Sequence, residues 1–218
     1  MKKNVVAIDG PAGAGKSTVA KIVAEKIGAI YIDTGAMYRA CAYFALKNEA
    51  TKDSEIEEIA ESINIELKPA AKGLEVIANG ENITDAIRTQ EVTAIVSKVA
   101  ALAKVRAAMT QKQQEMAEKG SVVMDGRDIC AYVLPKANVK IFLTAAASER
   151  AKRRFEELQA KGEQNLDLAK LTEDIIRRDT LDSQREIAPL KQAEDAELID
   201  STSMTIEEVV AAIVKRCD

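Results

Sequence analysis

The stretch NVVAIDGPAGAGKS, residues Asn4–Ser17, decides the fold of this chain. Its first part, Asn4–Asp9, is an apolar run that predicts a buried strand. Its second part fits the glycine-rich pattern GxxxxGK[ST], and Lys16–Ile27 continues with apolar residues at helical spacing. A strand, a glycine-rich loop and a helix in this order indicate a phosphate-binding loop.

This loop predicts an ATP-binding site. Its glycines let backbone N–H groups curve around an anion, and the following helix directs its positive end at the same point. Lys16 can supply charge to the β- and γ-phosphates, and the Ser17 hydroxyl can bind Mg²⁺ directly. A glycine-rich turn that binds nothing is the alternative, and Thr18 is more typical of helix packing than of chemistry. The predicted ATP-binding residues are Gly10, Pro11, Ala12, Gly13, Ala14, Gly15, Lys16, Ser17 and Thr18.

Four further apolar runs predict that the first strand belongs to a larger sheet. Each run is short, and helical spacing recurs between them, which is typical of a doubly wound α/β fold with five parallel strands flanked by helices. The four runs are Ala29–Asp33, Ser121–Asp125, Asn138–Thr144 and Glu197–Asp200.

One stretch, roughly residues 63–85, departs from this pattern. Ile63–Lys68 and Leu74–Ala78 alternate with a period of two, and Asn79–Gly80 is a strong turn signal. They predict a small antiparallel insertion. Apolar residues at helical spacing then predict one long helical region over Thr89–Lys119.

The composition excludes several classes of chemistry and of partner. The 218-residue chain, long enough for one domain, has no histidine, which excludes imidazole acid–base catalysis, Ser-His-Asp and Cys-His catalysis and histidine-ligated zinc. Cys41, Cys130 and Cys217 are far apart, which excludes zinc ribbons and iron–sulfur sites and is typical of a reducing compartment. Because the net charge is −4 and no apolar run approaches about 18 residues, we expect a cytoplasmic protein that binds neither nucleic acid nor membrane.

A second motif, DTGAMYR, directly follows the predicted strand at Ala29–Asp33. Parallel α/β sheets bind ligands at the carboxyl ends of their strands. Thr34 can cap the next helix, Tyr38 and Arg39 follow about one turn later, and Arg39 suits a phosphate. A helix cap followed by ordinary surface residues is the alternative.

A third motif, DGRD, follows the predicted strand at Ser121–Asp125 and reaches the same rim of the sheet. Arg127 can hold a phosphate, while Asp128 can accept a hydrogen bond from an exocyclic amine. Asp125 is a candidate for contact with Mg²⁺ through water. An Asx-type turn without a ligand remains the alternative.

Six of the eleven arginines lie within residues 150–185. Arg178, Asp182 and Arg185 are spaced so that a helix over Leu171–Arg185 puts all three on one face. The arginines can serve as forks for phosphate oxygens, or all three residues can form an ion-pair ladder within the helix. The residues alone leave both interpretations open.

Together these motifs resemble one family, the bacterial cytidylate (CMP/dCMP) kinases, over essentially the whole chain. The resemblance implies a P-loop NTPase fold with a five-stranded parallel sheet flanked by helices and a small antiparallel β insertion in the monophosphate-binding region. It also implies Mg²⁺-dependent transfer of the ATP γ-phosphoryl group to CMP or dCMP. The segments that carry it are AIDGPAGAGKST, IDTGAMYRA, SKVAALAKVR, MDGRDI, RDTLDSQREIAPL and AELIDST.

The resemblance further implies that residues 1–218 form a single nucleoside monophosphate kinase domain, and we expect it to act as a monomer. A lid is also indicated by the residues themselves, because the polar segment Gln159–Leu168 contains Gly162 and can close over phosphates to exclude water. The implied parts are a core (1–62, 120–154 and 170–218), a monophosphate-binding insertion region (63–119) and the lid (155–169).

Roles in substrate binding come with the resemblance. It implies that Ser97 and Arg106 face the cytosine together with Asp128. The residues implied in binding the nucleoside monophosphate are Thr34, Tyr38, Arg39, Ser97, Arg106, Arg127, Asp128, Arg178, Asp182 and Arg185.

The same resemblance assigns the transfer step. Arg127 and Arg185 are implied to approach the acceptor phosphate, while Arg178 and Asp182 meet the ribose. The residues implied in catalysis are Lys16, Arg127, Arg178 and Arg185.

The chain departs from the family after the motif GRDI, where Cys130-Ala131 stands in place of the usual Gly-Thr. Cys130 is either an oxidisable thiol near the pocket or a small buried hydrophobe. Two other functions stay open: a different small P-loop kinase that acts on AMP, UMP or a non-nucleotide alcohol, and a nucleotide-binding regulatory module without catalysis.

Overall fold

A computed structural model describes residues 3–70, 73–160 and 162–217. The chain divides into two compact units: the first comprises the described residues up to Tyr31 and from Gly120 onward, and the second is Ile32–Lys119. Outside the described residues lie positions 71 and 72 of the predicted antiparallel insertion, position 161 of the predicted lid, and positions 1, 2 and 218 at the ends of the predicted domain.

The described residues form eight strands and eight α-helices. The strands are β1 (Val5–Asp9), β2 (Ile30–Asp33), β3 (Ile65–Ala70), β4 (Gly73–Ala78), β5 (Glu81–Asn82), β6 (Val122–Gly126), β7 (Val139–Thr144) and β8 (Glu197–Asp200). The α-helices are α1 (Lys16–Ile27), α2 (Thr34–Lys47), α3 (Asp53–Ser62), α4 (Gln90–Val99), α5 (Ala103–Glu118), α6 (Ala147–Ala160), α7 (Leu168–Ser183) and α8 (Ile206–Val214). A 3₁₀-helix (Ala86–Arg88) and a π-helix (Ile129–Val133) are shorter.

A five-stranded sheet has the strand order β2-β6-β1-β7-β8, and β1 runs parallel to both β6 and β7. Val6, Ala7 and Ile8 of the central strand β1 are fully buried, which accounts for its continuous apolar run. The predicted five-stranded parallel sheet flanked by helices is confirmed. Because Asp9 pairs in register with Gly126, the phosphate loop and the GRD motif leave neighbouring strand ends.

In the second unit, β3, β4 and β5 form an antiparallel sheet, which confirms the predicted insertion. Asn79 and Gly80 join β4 to β5 with φ values of 51° and 82°. Positive φ at both central residues is the geometry of a two-residue hairpin turn, as this pair of residue types predicts.

The single helical region predicted over Thr89–Lys119 is wrong, because the structure has two helices there. Helix α4 ends with Ala100 as its C-cap, and Leu102 has extended backbone before α5 begins. The buried Arg106 guanidinium donates to the Ala100 carbonyl oxygen at 3.0 Å, which satisfies a main-chain acceptor at the end of α4. Apolar spacing continues through Val99, Leu102 and Val105, so it conceals the break.

Of the predicted lid (155–169), residues 155–160 belong to α6 and residues 168 and 169 to α7, and the connection between these helices lies between them. Its described non-helical part is 162–167, and the Asp167 side chain caps α7 by accepting from the N–H groups of Ala169 and Lys170. In the part of the chain that the structure describes, no helix is both long and apolar enough to cross a bilayer.

Candidate active site

The phosphate loop begins at a position that only glycine can occupy. Gly10 has a φ of 147°, and a Cβ atom there would lie 1.9 Å from the main-chain oxygen of Leu143 in β7. At the other end, Gly15 is the N-cap of α1 and provides no side-chain cap. The first N–H groups of α1 are therefore not used by a capping side chain, which suits an anion at this helix end.

Lys16 is almost completely buried at the start of α1, and its Nζ donates to the Pro11 carbonyl oxygen at 2.7 Å. Burial and the positive charges of Arg127 and Arg178 lower the pKa of Lys16 well below its usual value, although the Asp125 carboxylate opposes this. A bound phosphate would favour the protonated amine and so oppose this lowering of the pKa.

Ser17 and Asp125, the two predicted Mg²⁺ contacts, are brought together. The Ser17 hydroxyl donates to Asp125 Oδ2 at 2.9 Å, and the Tyr31 hydroxyl donates to Oδ1 at 2.8 Å. Hydroxyl and carboxylate oxygens are ligands that Mg²⁺ accepts, and this ion usually keeps waters and phosphate oxygens as its other ligands. Among the described residues, no group of three or more histidine, cysteine, aspartate or glutamate side chains is arranged to hold a metal ion.

Arg127, Asp182 and Arg185 form one cluster in the first unit. Arg127 Nε donates to Asp182 Oδ2 at 2.9 Å, and Arg185 Nη1 lies 4.0 Å from Asp182 Oδ1. The predicted helix over Leu171–Arg185 is wrong at its end, because α7 stops at Ser183. Arg185 instead folds back after the helix and donates from Nε to the Asp182 carbonyl oxygen at 3.2 Å.

Asp9 is a site residue that the sequence did not predict. It is 1% exposed, and its two carboxylate oxygens accept from the N–H groups of Ile129 and Cys130, each at 2.8 Å. It thereby holds the backbone that directly follows Asp128. Burial raises the pKa of Asp9, and the nearby charge of Asp128 adds to this. An acidic residue that ends an otherwise apolar buried strand was the signal available in the sequence.

Cys130 is fully buried, and its Sγ lies 3.6 Å from the carbonyl oxygen of Ala7 and 3.7 Å from that of Ile141. Burial, together with the nearby Asp9 carboxylate, raises the pKa of this thiol. Both features oppose formation of the reactive thiolate. The structure therefore favours the small buried hydrophobe over the oxidisable thiol.

Cys130 is expected to remain unmodified when the folded protein is treated with iodoacetamide near neutral pH, since the thiol is both inaccessible and protonated. Mass spectrometry of peptides checks this. The same protein in concentrated denaturant is the control, and there all three cysteines should react. Rapid labelling of Cys130 in the folded protein would contradict the expectation.

In the second unit, the DTGAMYR motif forms the start of α2. The prediction that Thr34 caps this helix is wrong, because Asp33 is the N-cap and accepts from the Ala36 N–H at 2.9 Å. Thr34 is the first helical residue and is buried. Tyr38 is also nearly buried, and the Arg106 guanidinium lies 5.6 Å from the centre of its ring. The structure thus brings these two predicted substrate-binding residues together.

Arg39 and Ser97 occupy other positions in the same unit. Arg39 Nη1 donates to the Ile87 carbonyl oxygen at 3.0 Å and to Thr93 Oγ1 at 2.8 Å. Ser97 is half-buried in α4, three residues before the carbonyl group that Arg106 binds. The Thr93 contact was not predicted from the sequence.

The arginines of residues 150–185 have several kinds of surroundings in the structure. The charge of Arg178 acts on Lys16, whereas Arg185 lies 4.0 Å from the Asp182 carboxylate. Other arginines form ion pairs with helix neighbours or with the adjacent helix. These pairs are Arg150–Asp179, Arg153–Glu149, Arg154–Glu157 and Arg177–Asp174.

Comparisons with known proteins agree over nearly the whole chain. The family model described as cytidylate kinase matches residues 6–218. A cytidylate kinase of Bacillus licheniformis is 55% identical over 223 residues and covers 100% of this chain and 97% of that protein. A cytidylate kinase of Bacillus subtilis (strain 168) is 53% identical over 216 residues and covers 98% of this chain and 96% of that protein. An uncharacterized protein from Eubacterium ventriosum, at 15% identity, has a TM-score of 0.54 over 100% of this chain and 99% of its own, which supports the fold alone.

Proposed function

The chain belongs to the cytidylate kinase family, and on that premise we propose that it transfers the γ-phosphoryl group of ATP to CMP or dCMP, giving ADP and CDP or dCDP. It is a phosphotransferase whose acceptor is a phosphate group. The observation that carries the proposal is the family match over nearly the whole chain, joined to a phosphate loop in which Lys16 is buried and Ser17 contacts Asp125.

In-line transfer between two phosphates depends on positioning and on neutralisation of charge more than on covalent help. We propose that Lys16 and the N–H groups of the loop hold the ATP phosphates. The acceptor phosphate is already anionic near neutral pH, so no strong base is needed. A chain without histidine is suited to this chemistry.

Arg127, Arg178 and Arg185 are proposed to neutralise the three equatorial oxygens of the transferring group. Two observations support this role. Arg127 and Arg185 flank Asp182, and the charge of Arg178 acts on Lys16. Positive groups gathered this closely repel one another, and a bound phosphate relieves that repulsion. Asp182 is proposed to accept from the ribose hydroxyls.

Mg²⁺ is the proposed cofactor, with Ser17 as a direct ligand and Asp125 as a contact through water. Tyr31 supports the proposal because it holds the second oxygen of the Asp125 carboxylate and so orients that group. When bound, the ion neutralises phosphate charge and helps to align the transferring group.

The remaining predicted residues are proposed to bind the nucleoside monophosphate, and the division into core, insertion region (63–119) and lid (155–169) is part of this proposal. Burial of Tyr38 and Arg106 against one another supports a preformed pocket wall. Those proposed for the cytosine are Ser97, Arg106 and Asp128, and those proposed for the rest of the nucleotide include Thr34, Tyr38 and Arg39.

We further propose that the protein acts as a cytoplasmic monomer whose partners are ATP and CMP or dCMP. All three cysteines are free and buried, which suits a reducing compartment. The net charge of −4 gives no general attraction to nucleic acid.

ADP release from ATP and Mg²⁺, measured with CMP, dCMP, UMP, AMP and GMP in turn, tests the function. We expect fast turnover with CMP and dCMP only, because a base with a different donor and acceptor pattern leaves buried polar groups unpaired. Fast turnover with another acceptor would retain the phosphotransferase and overturn the cytosine pocket. ATP binding without stimulation by any acceptor would favour the regulatory module.

A further inference from the structure

Side chains from two helices hold the phosphate loop at Ala12. The Ala12 N–H donates to Asp179 Oδ1 at 3.2 Å, and the Ala12 carbonyl oxygen accepts from Arg150 Nη1 at 2.8 Å. The same Nη1 donates to Asp179 Oδ2 at 2.6 Å. Arg150 of α6, Asp179 of α7 and the loop therefore form a closed set of three contacts within the first unit.

The Arg150 side chain is fixed along its length. It is 6% exposed, and its Nε donates to the Ala145 carbonyl oxygen at 2.8 Å. A Cβ atom at Gly13 would lie 3.2 Å from the Arg150 Cβ, so the loop backbone packs closely against α6. Because Arg150 is already ordered and nearly desolvated, its bond to Asp179 should contribute more to the free energy of folding than an exposed ion pair does.

Asp179 lies on α7 among residues that the proposed reaction uses. Arg178 directly precedes it and is close enough to Lys16 to influence that amine. Asp182 follows three residues later and accepts from Arg127. The contact between Asp179 and the loop is therefore made by the same turn of α7 that carries both groups.

We propose that Arg150 and Asp179 are positioning residues that hold α7 on the phosphate loop, so that Arg178 and Lys16 act on the same phosphate groups during transfer. Neither side chain touches the reacting atoms in this proposal. It rests on the proposed phosphoryl transfer and adds two residues to it. No motif in the sequence indicated either of them.

A double-mutant cycle on Arg150 and Asp179 tests the proposal. With saturating ATP and CMP, we expect Asp179→Ala and Arg150→Ala each to lower kcat by about 10- to 100-fold, because a displacement of about 1 Å can have that effect. The double variant should be at most about threefold slower than the worse single variant, since the pair acts as one unit. Asp174→Ala is the matched control, as Asp174 lies on the same helix in an exposed ion pair with Arg177. Its kcat should stay within about twofold of wild type.

A conservative variant separates positioning from folding. Asp179→Asn keeps an oxygen for the Ala12 N–H, so we expect it to recover kcat to within about fivefold of wild type. If the alanine variants do not fold, the kcat of Asp179→Asn still tests the proposal. If the pair is purely structural, replacing either residue would lower the thermal midpoint of unfolding and leave kcat per folded molecule unchanged. That result, or independent and additive effects of the two replacements, would overturn the proposal.

ATP affinity, measured with a fluorescent ATP analogue, separates this proposal from the proposed function. If the wild type phosphorylates a different acceptor, the cycle is repeated with that acceptor and judged by the same ratios. If it phosphorylates none, the affinity decides. Binding about tenfold weaker in Asp179→Ala than in Asp174→Ala supports the positioning of the loop, and equal binding overturns it.

Discussion

Replacing Lys16 by alanine is expected to lower kcat by at least about 10²- to 10³-fold and to raise KM for ATP. The Lys16 amine is nearly buried beside the loop, and the charges of Arg127 and Arg178 act on it. A protonated amine in such surroundings gains much from a phosphate, and most from the charge that the transferring group carries in the transition state. Steady-state ADP release with CMP measures both constants.

Lys26→Ala, at the exposed end of the same helix, is the control and should behave like the wild type. Burying a protonated amine costs free energy in the folded protein. We therefore expect the thermal midpoint of Lys16→Ala to be no lower than that of the wild type. A variant of Lys16 that keeps near-normal turnover would contradict its assignment. A variant that loses activity only as it loses its folded state would do so as well.

The parts of the fold that depend on residues close together in the chain could be predicted from the sequence. The phosphate loop needs only the apolar run that ends at Asp9, the glycines and the helical spacing after Lys16, and these lie within one short stretch. The contact between Ser17 and Asp125 spans 108 residues, yet it follows from parallel strands that end at the same edge. The order of the strands thus brings two separately predicted residues into contact.

Contacts in which a long side chain meets one of several available partners could not be predicted from the sequence. Arg106 reaches back to the carbonyl group of Ala100 and separates two helices, but the apolar spacing continues through that break. Arg150 and Arg154 have the same side chain on the same helix, and only tertiary packing makes the first a buried loop contact and the second an exposed pair. Residue type and spacing carry no information on which carboxylate or carbonyl group an arginine meets.

Replacing Arg127 by alanine is expected to lower kcat and kcat/KM for CMP together by about 10²- to 10³-fold, with KM for ATP little changed. The Arg127 side chain is 19% exposed, and its Nε bond to Asp182 fixes the guanidinium near the carboxyl end of β6. A group that acts mainly on the transition state affects both constants equally. Arg127→Lys restores a charge but not the planar fork, so we expect it to remain at least about tenfold below wild type.

The effect of Arg127→Ala on stability should be smaller than its effect on turnover. Asp182 is 5% exposed, but Arg185 remains 4.0 Å away, so the carboxylate keeps a cation nearby. We expect a loss of about 1–3 kcal/mol in the free energy of unfolding, measured by urea denaturation. Arg154→Ala, which removes an exposed pair with Glu157, is the matched control. A contradicting result would be a kcat for Arg127→Ala within about threefold of this control, together with unfolding at a lower urea concentration. Arg127 would then stabilise the fold through Asp182, and Lys16 and the other arginines would neutralise the transferring group.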